Sequence, residues 1–165
     1  MTIKYTNFSD GIHELEFQEP VEKLKLDSTF FGNLVLTCKM DKSAHQIVLD
    51  CSLSVNSRFN CDRCSVEFVR ELKNHFILSF LFSKERIQSE DLNLKFLSPD
   101  LDKIDLTEDV IEYTKLAVPM KKLCREDCKG LCSKCGANLN EEQCGCKVEI
   151  VNDVWAPLKK LKDRI

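Results

Sequence analysis

Six cysteines are concentrated in the stretch CREDCKGLCSKCGANLNEEQCGC, residues 124–146, and a further pair stands upstream in CDRC, Cys61 and Cys64. Thiolates can be oxidised to disulfides, shuttle electrons or bind a soft metal, and spacing separates these chemistries. A closed zinc site needs four soft ligands in tetrahedral array, with Zn–S near 2.3 Å. Two cysteines separated by two residues reach one ion from a tight turn, and a glycine just after them relaxes it, as in CSKCG from Cys132 to Gly136. The loop GANLNEEQ then returns the chain to CGC, so Cys132, Cys135, Cys144 and Cys146 can close one local cage. Cys124 and Cys128 have no local partner pair. Joined to Cys61 and Cys64 they complete a second four-thiolate cage, which would tie two distant parts of the chain together and remove loop entropy from the unfolded state. Two structural zinc ions are therefore expected. Spacing alone leaves a permutation open, with Cys124, Cys128, Cys132 and Cys135 around one ion.

Other uses of the cysteines fit less well. A dithiol redox pair belongs at a strand-to-helix junction of a βαβ unit, whereas CDRC ends an alternating strand. The spacing does not match ferredoxin-type iron–sulfur ligation. Catalytic zinc keeps an open position and draws on His or carboxylate ligands, but His13, His45 and His75 are all remote in sequence from residues 124–146. The chain has no Walker or Rossmann glycine loop, no HExxH and no G-x-S-x-G elbow. No spacing picks out an acid–base pair. A non-enzyme is expected, with no small-molecule substrate apparent.

The elements that must position these cysteines read as β. HQIVLDCSLSVNS sets Ile47, Leu49, Cys51, Leu53 and Val55 on one face, against Val48, Asp50, Ser52, Ser54 and Asn56 on the other; a period of two marks a strand with one face on a core. Leu34, Leu36, Cys38 and Met40 form a similar face upstream, with Asp41-Lys42-Ser43 as a turn, and Phe76, Leu78, Phe80 and Phe82 form another downstream. Short connections favour an antiparallel sheet, open or curled into a partial barrel. Cys38 and Cys51 lie within the apolar faces and are expected to pack as small hydrophobes, outside the metal count. Residues 83–104 read as a long connection. Asp105 then caps a helix carrying Leu106, Val110, Ile111 and Ala117 on one side, stopped by Pro119, which covers the sheet. The fold class is α+β. Residues 1–118 form the β-rich domain with its covering helix; residues 119–165 form the cysteine-rich segment and an amphipathic tail with Trp155, Leu158 and Leu161. That tail is expected to pack back on the domain, the other reading being a partner-binding peptide displayed next to its basic residues.

At 165 residues and 43% hydrophobic, the chain can bury one core and a small appendage. It has no run of eighteen apolar residues and no amino-terminal basic-then-apolar pattern, so a cytoplasmic, reducing setting with no membrane partner is expected, where lasting disulfides are unusual. The net charge of −3 hides a division. Residues 1–114 carry 13 Lys and Arg against 20 Asp and Glu, and residues 115–165 carry 11 against 7. Candidate phosphate contacts are Arg63, Lys121, Lys122, Arg125, Lys129 and Lys134 near the cysteines, with Lys159, Lys160, Lys162 and Arg164 in the tail. Such a cluster could meet RNA backbone, with a steep salt dependence. An acidic β-domain beside a basic patch could equally dock on a basic protein.

The order of these motifs resembles the YceD family, whose members are called large ribosomal RNA subunit accumulation proteins. The resemblance rests on CDRC after an alternating strand, then IDLTEDVIEYTKLAVPMKKLCREDCKGLCSKCGANLN, then WAPLKKL. Ser65 stands where the family usually has Leu, which lessens a packing role there. Val154 stands where an Arg often precedes the aromatic, which lessens a phosphate contact there. The resemblance implies a part in accumulation or maturation of large-subunit ribosomal RNA, without a defined enzymatic step. The implied partner is that RNA or a ribosomal protein.

Overall fold

The computed structural model describes residues 1–83, 93–98 and 100–146. Along the chain come β1 (Thr2–Ile3), a 3-10 turn (Tyr5–Asn7), β2 (Gly11–Pro20), β3 (Phe30–Lys42), β4 (Gln46–Asn60), β5 (Glu67–Leu81), β6 (Leu94–Phe96), β7 (Ile104–Asp105) and α1 (Thr107–Leu116). The fold is α+β. Strands β2 to β5 form an antiparallel meander, and β1 pairs with β7 in a small second sheet.

Alternation decides which face is inside. Leu34, Leu36 and Met40 on β3, Ile47, Leu49, Leu53 and Val55 on β4, and Phe76, Leu78 and Phe80 on β5 are all buried in one cluster. The register Leu36↔Leu53, Met40↔Leu49 and Leu49↔Leu78 stacks these side chains across strands, the pairing that stabilises a sheet. Helix α1 lies on this inner face. Leu106 and Val110 are buried in the core, the Tyr113 ring stacks on Phe76 with centroids 4.0 Å apart, and Asn74 Nδ2 donates to the Tyr113 carbonyl at 2.8 Å.

Three local expectations are corrected. The 83–104 connection contains β6, which adds parallel to β5, and Leu97 beyond it is buried; three residues are too short for their alternation to be seen in sequence. Asp105 precedes the N-cap, which is Leu106, although its carboxylate still accepts from the Thr107 amide at 3.0 Å. Cys38 and Cys51 are buried as expected, but they are joined as a disulfide. Antiparallel pairing sets them directly opposite with Cα atoms 4.1 Å apart, so both sulfurs point into the same core and meet.

Candidate metal centres and the basic surface around them

The long β4–β5 hairpin ends in the loop 61–66, and this loop holds the first half of a cysteine cage. After the last strand pair, Asn60↔Glu67, the Cys61 amide donates to the Val66 carbonyl at 2.9 Å and the Ser65 amide to the Cys61 carbonyl at 2.8 Å. Both thiols of CDRC are thereby turned to one side. Downstream of α1 the chain runs back to this hairpin tip. Asp62 clamps it there: its amide donates to the Lys122 carbonyl at 2.8 Å and its carboxylate accepts from the Lys122 amide at 2.6 Å. Arg70 Nη2 donates to the Leu123 carbonyl at 2.9 Å. Cys124 and Cys128 are thus delivered to Cys61 and Cys64.

The four sulfurs of Cys61, Cys64, Cys124 and Cys128 lie within 4.8 Å of one another, and those of Cys132, Cys135, Cys144 and Cys146 do the same. Cys61 and Cys128 are 3.8 Å apart at sulfur, and Cys64 and Cys124 are 3.7 Å apart. Sulfurs about 2.3 Å from a central zinc in tetrahedral array are separated by about 3.8 Å, so the first cage has the span such an ion requires. The pairing drawn from spacing is the one the chain adopts, and the permutation with Cys132 and Cys135 in the first cage is not. Cys61, Cys64 and Cys128 are buried against Phe68 and Leu123, whereas the second cage is shallower, with Cys135 exposed.

The second cage is built on a repeat of the first turn. The Gly136 amide donates to the Cys132 carbonyl at 2.9 Å, and the Cys132 amide donates to Ala137 across a one-pair bridge, Leu131↔Asn138. Gly130 sits between the cages at φ +79, and a Cβ there would lie 3.0 Å from the Arg63 carbonyl oxygen. That close approach lets the Leu131 amide donate to the same carbonyl at 3.0 Å.

Electrostatics within the cages favours a cation. Burial raises the Cys61 thiol, but amides of Cys124, Cys64 and Arg63 outweigh it and bring the thiol down to about 6. Burial likewise opposes the lowering of Cys128, which the Asn140 carboxamide and the Gly130 amide accomplish. Cys124 is pushed up to about 12, by burial and then by Cys64, Cys61 and Cys128. In the second cage, the amides of Cys135 and Lys134 bring Cys132 down to about 6, and the neighbouring Cys135 and burial push Cys146 up to about 12. Within each cage some thiols are shifted down and others up, by burial and by the close approach of the neighbouring sulfurs. A soft divalent cation removes that conflict, and an all-sulfur donor set suits one.

Lys121, Lys129 and Lys134 are exposed on the cysteine segment. Lys122 is half-buried with Nζ 5.3 Å from the centre of the Phe59 ring. Arg125 reaches Asn140 at 2.8 Å and Asp127 at 3.4 Å. Arg63 is exposed, but its Nη1 donates to the Cys128 carbonyl at 2.7 Å, so it braces the first cage. Lys159, Lys160, Lys162 and Arg164, with the Trp155, Leu158 and Leu161 pattern, lie outside the described residues. Among the described residues no helix is long and apolar enough to cross a membrane.

Sequence reading missed Asp62, Arg70 and Asn140, which hold the cages together without supplying a sulfur. Asp62, inside CDRC, and Asn140, inside GANLN between two cysteine pairs, stood where spacing could have drawn attention to them.

The family model of the large ribosomal RNA subunit accumulation protein YceD matches residues 49–162, from β4 through both cages. The chain belongs to the YceD family. The chloroplastic YCED homolog 1 of Arabidopsis thaliana, a large ribosomal RNA subunit accumulation protein, is 33% identical over 99 residues, covering 53% of this chain and 31% of that protein. The homolog 1 of Zea mays is 40% identical over 70 residues, covering 42% and 23%. An uncharacterized protein of Mycobacterium tuberculosis is 38% identical over 58 residues, covering 35% and 28%. The match spans less than a third of the length of each of these relatives. No solved structure matches the chain.

Proposed function

We propose that this YceD-family chain is a cytoplasmic, non-catalytic factor that supports accumulation of large-subunit ribosomal RNA by contacting that RNA directly. In this reading each cysteine cage holds one structural zinc ion. The observation that carries it is the family match, which runs over the hairpin tip and both cages together. Zinc, once bound, would supply a fixed divalent charge that makes four thiolates compatible in each cage. The protein's own residues do the rest: Asp62, Arg63 and Arg70 pin the cysteine segment to the hairpin, and Lys121, Lys129 and Lys134 are exposed on that segment. Side chains so placed meet phosphate with little further ordering cost.

A second reading has one observation in its favour. Met120 is fully exposed and Leu116 is 72% exposed, next to Lys121, a mixture of apolar and basic side chains suited to a ribosomal protein. Crosslinking in cells separates the two. Large-subunit RNA recovered with the protein, with crosslinks at residues 121–134, supports direct contact. Recovery of one ribosomal protein without that RNA rejects direct contact and leaves the protein-docking reading.

A further inference from the structure

Asn140 lies on the loop between Cys135 and Cys144, so the second cage governs its position, yet its side chain serves the first. Its Oδ1 accepts from the Lys129 amide at 2.8 Å and from Arg125 Nη2 at 2.8 Å, both on or next to the 124–128 loop. Its Nδ2 donates to Cys128 Sγ at 3.4 Å and to Asn138 Oδ1 at 2.8 Å. A carboxamide has two acceptor positions and two donor hydrogens, and all four are used. The orientation follows from the partners, since an amide and a guanidinium can only donate while a thiolate accepts. Asn138 is fixed in turn, donating to Glu141 Oε1 at 2.7 Å and accepting the Asn140 amide at 3.2 Å.

We propose that Asn140 couples the two cages, so that closure of the second around its ion strengthens the grip of the first on its own. This rests on the reading that both cages hold metal. An ion held by Cys132, Cys135, Cys144 and Cys146 fixes both ends of the 136–143 loop and removes its freedom before Asn140 is asked to act. The carboxamide then meets Cys128 and the 124–128 loop already ordered. Partners that hold and orient a ligand in this way change metal affinity by about 10–100-fold. Coupling is reciprocal, so the first ion must tighten the second to the same degree.

The test uses the full chain, with zinc titrated against a chromogenic chelator. Alkylation mapped by mass spectrometry reports separately on Cys61, Cys64, Cys124 and Cys128 and on the other four. In the wild type, two zinc ions should bind. Removing the second cage with Cys144→Ser and Cys146→Ser should lower first-cage affinity about tenfold, and Asn140→Leu should do the same with the second cage intact. The two changes combined should cost no more than either alone. Asn140→Asp keeps the acceptor toward Lys129 and Arg125 but sets a carboxylate against Cys128, so it too should weaken the first cage while far-ultraviolet circular dichroism of the sheet stays unchanged. First-cage affinity unmoved by Asn140→Asp or by loss of the second cage overturns the coupling, as do losses that simply multiply. A wild-type chain that binds no zinc overturns instead the reading of the cages on which the coupling depends.

Discussion

Ser65 and Gly136 occupy the same place in two copies of one turn. Each follows a Cys-x-x-Cys pair, each has a left-handed backbone, at φ 59 and φ 76, and each donates its amide to the first cysteine's carbonyl, at 2.8 and 2.9 Å. Left-handed backbone costs a non-glycine residue roughly 1–2 kcal/mol, so the turn that holds Cys61 and Cys64 is strained where its counterpart is not. Ser65→Gly should relieve that strain. Allowing for the extra freedom of glycine in the unfolded chain, the expected gain is about 0.5–1 kcal/mol, read as a higher urea midpoint for the zinc-loaded protein. A loss of stability would show that the serine side chain has a role that outweighs its backbone.

Gly130 and Gly136 should respond very differently to the same change. A Cβ at Gly136 meets nothing within 4 Å, so Gly136→Ala carries only the backbone term of about 1–2 kcal/mol. A Cβ at Gly130 comes within 3.0 Å of the Arg63 carbonyl oxygen and 3.3 Å of its Cβ. That neighbour is backbone and cannot rotate aside. Gly130→Ala should cost about 1 kcal/mol or more beyond Gly136→Ala, and first-cage cysteines should become the faster ones to alkylate. Equal costs would mean that the hairpin and the cysteine segment slide apart freely.

The cage that joins the hairpin tip to the cysteine segment predicts a specific failure. Protein purified without added metal should contain close to two zinc ions, and Cys61→Ser should lose one of them. Because structural zinc binding is folding free energy, that variant should lose up to several kcal/mol and should expose residues 121–131 to protease while the sheet persists. Acidification should act in the same direction, since protons compete with the ion for sulfur, so zinc is lost as pH falls. A Cys61→Ser chain with two zinc ions and a protected segment would remove Cys61 from the ligands. Iron with charge-transfer absorption would reject zinc.

The disulfide is checked by counting thiols. With zinc chelated and the chain unfolded in denaturant without reductant, Cys38 and Cys51 should be silent and eight of the ten cysteines should react. Ten reactive thiols would mean that the pair is reduced in the purified protein and packs as two small hydrophobes. The eight that react should be those of the two cages, mapped by peptide.

What could be read in advance followed the reach of each signal. The inner faces of β3, β4 and β5 repeat every two residues over many positions, so Leu34 to Met40, Ile47 to Val55 and Phe76 to Phe80 could be assigned to a core from pattern alone. The cysteine pairs were legible for a similar reason: four pairs suffice for two cages, and one set closes locally. Register was not legible. Knowing that Cys38 and Cys51 share a core does not reveal that they face each other, because a shift of one strand by two residues preserves the buried pattern and separates them. Strand β6 was too short to show a period. The roles of Asp62, Arg63, Arg70 and Asn140 depend on what folds back against them, and Arg63 looked like a phosphate contact because a guanidinium suits a carbonyl as well as it suits RNA.

Lys122 is held over Phe59 and Arg63 braces Cys128, so neither can be changed without touching the scaffold. Lys121, Lys129 and Lys134 are exposed, and Lys→Gln at all three removes positive charge while keeping every sulfur. Zinc content and urea midpoint should be nearly those of the wild type. If the three meet phosphate, affinity for large-subunit RNA falls, and the slope of log affinity against log salt flattens by about 2–3, since each lost contact releases fewer counterions. Docking on a ribosomal protein instead predicts an unchanged salt slope for RNA and loss of that partner in pull-downs. A variant that keeps its RNA affinity, its salt slope and its partners, and that restores large-subunit RNA in cells lacking the protein, would show that these lysines only solvate the segment. The contact surface would then belong to the exposed Leu116 and Met120 or to the tail beyond residue 146.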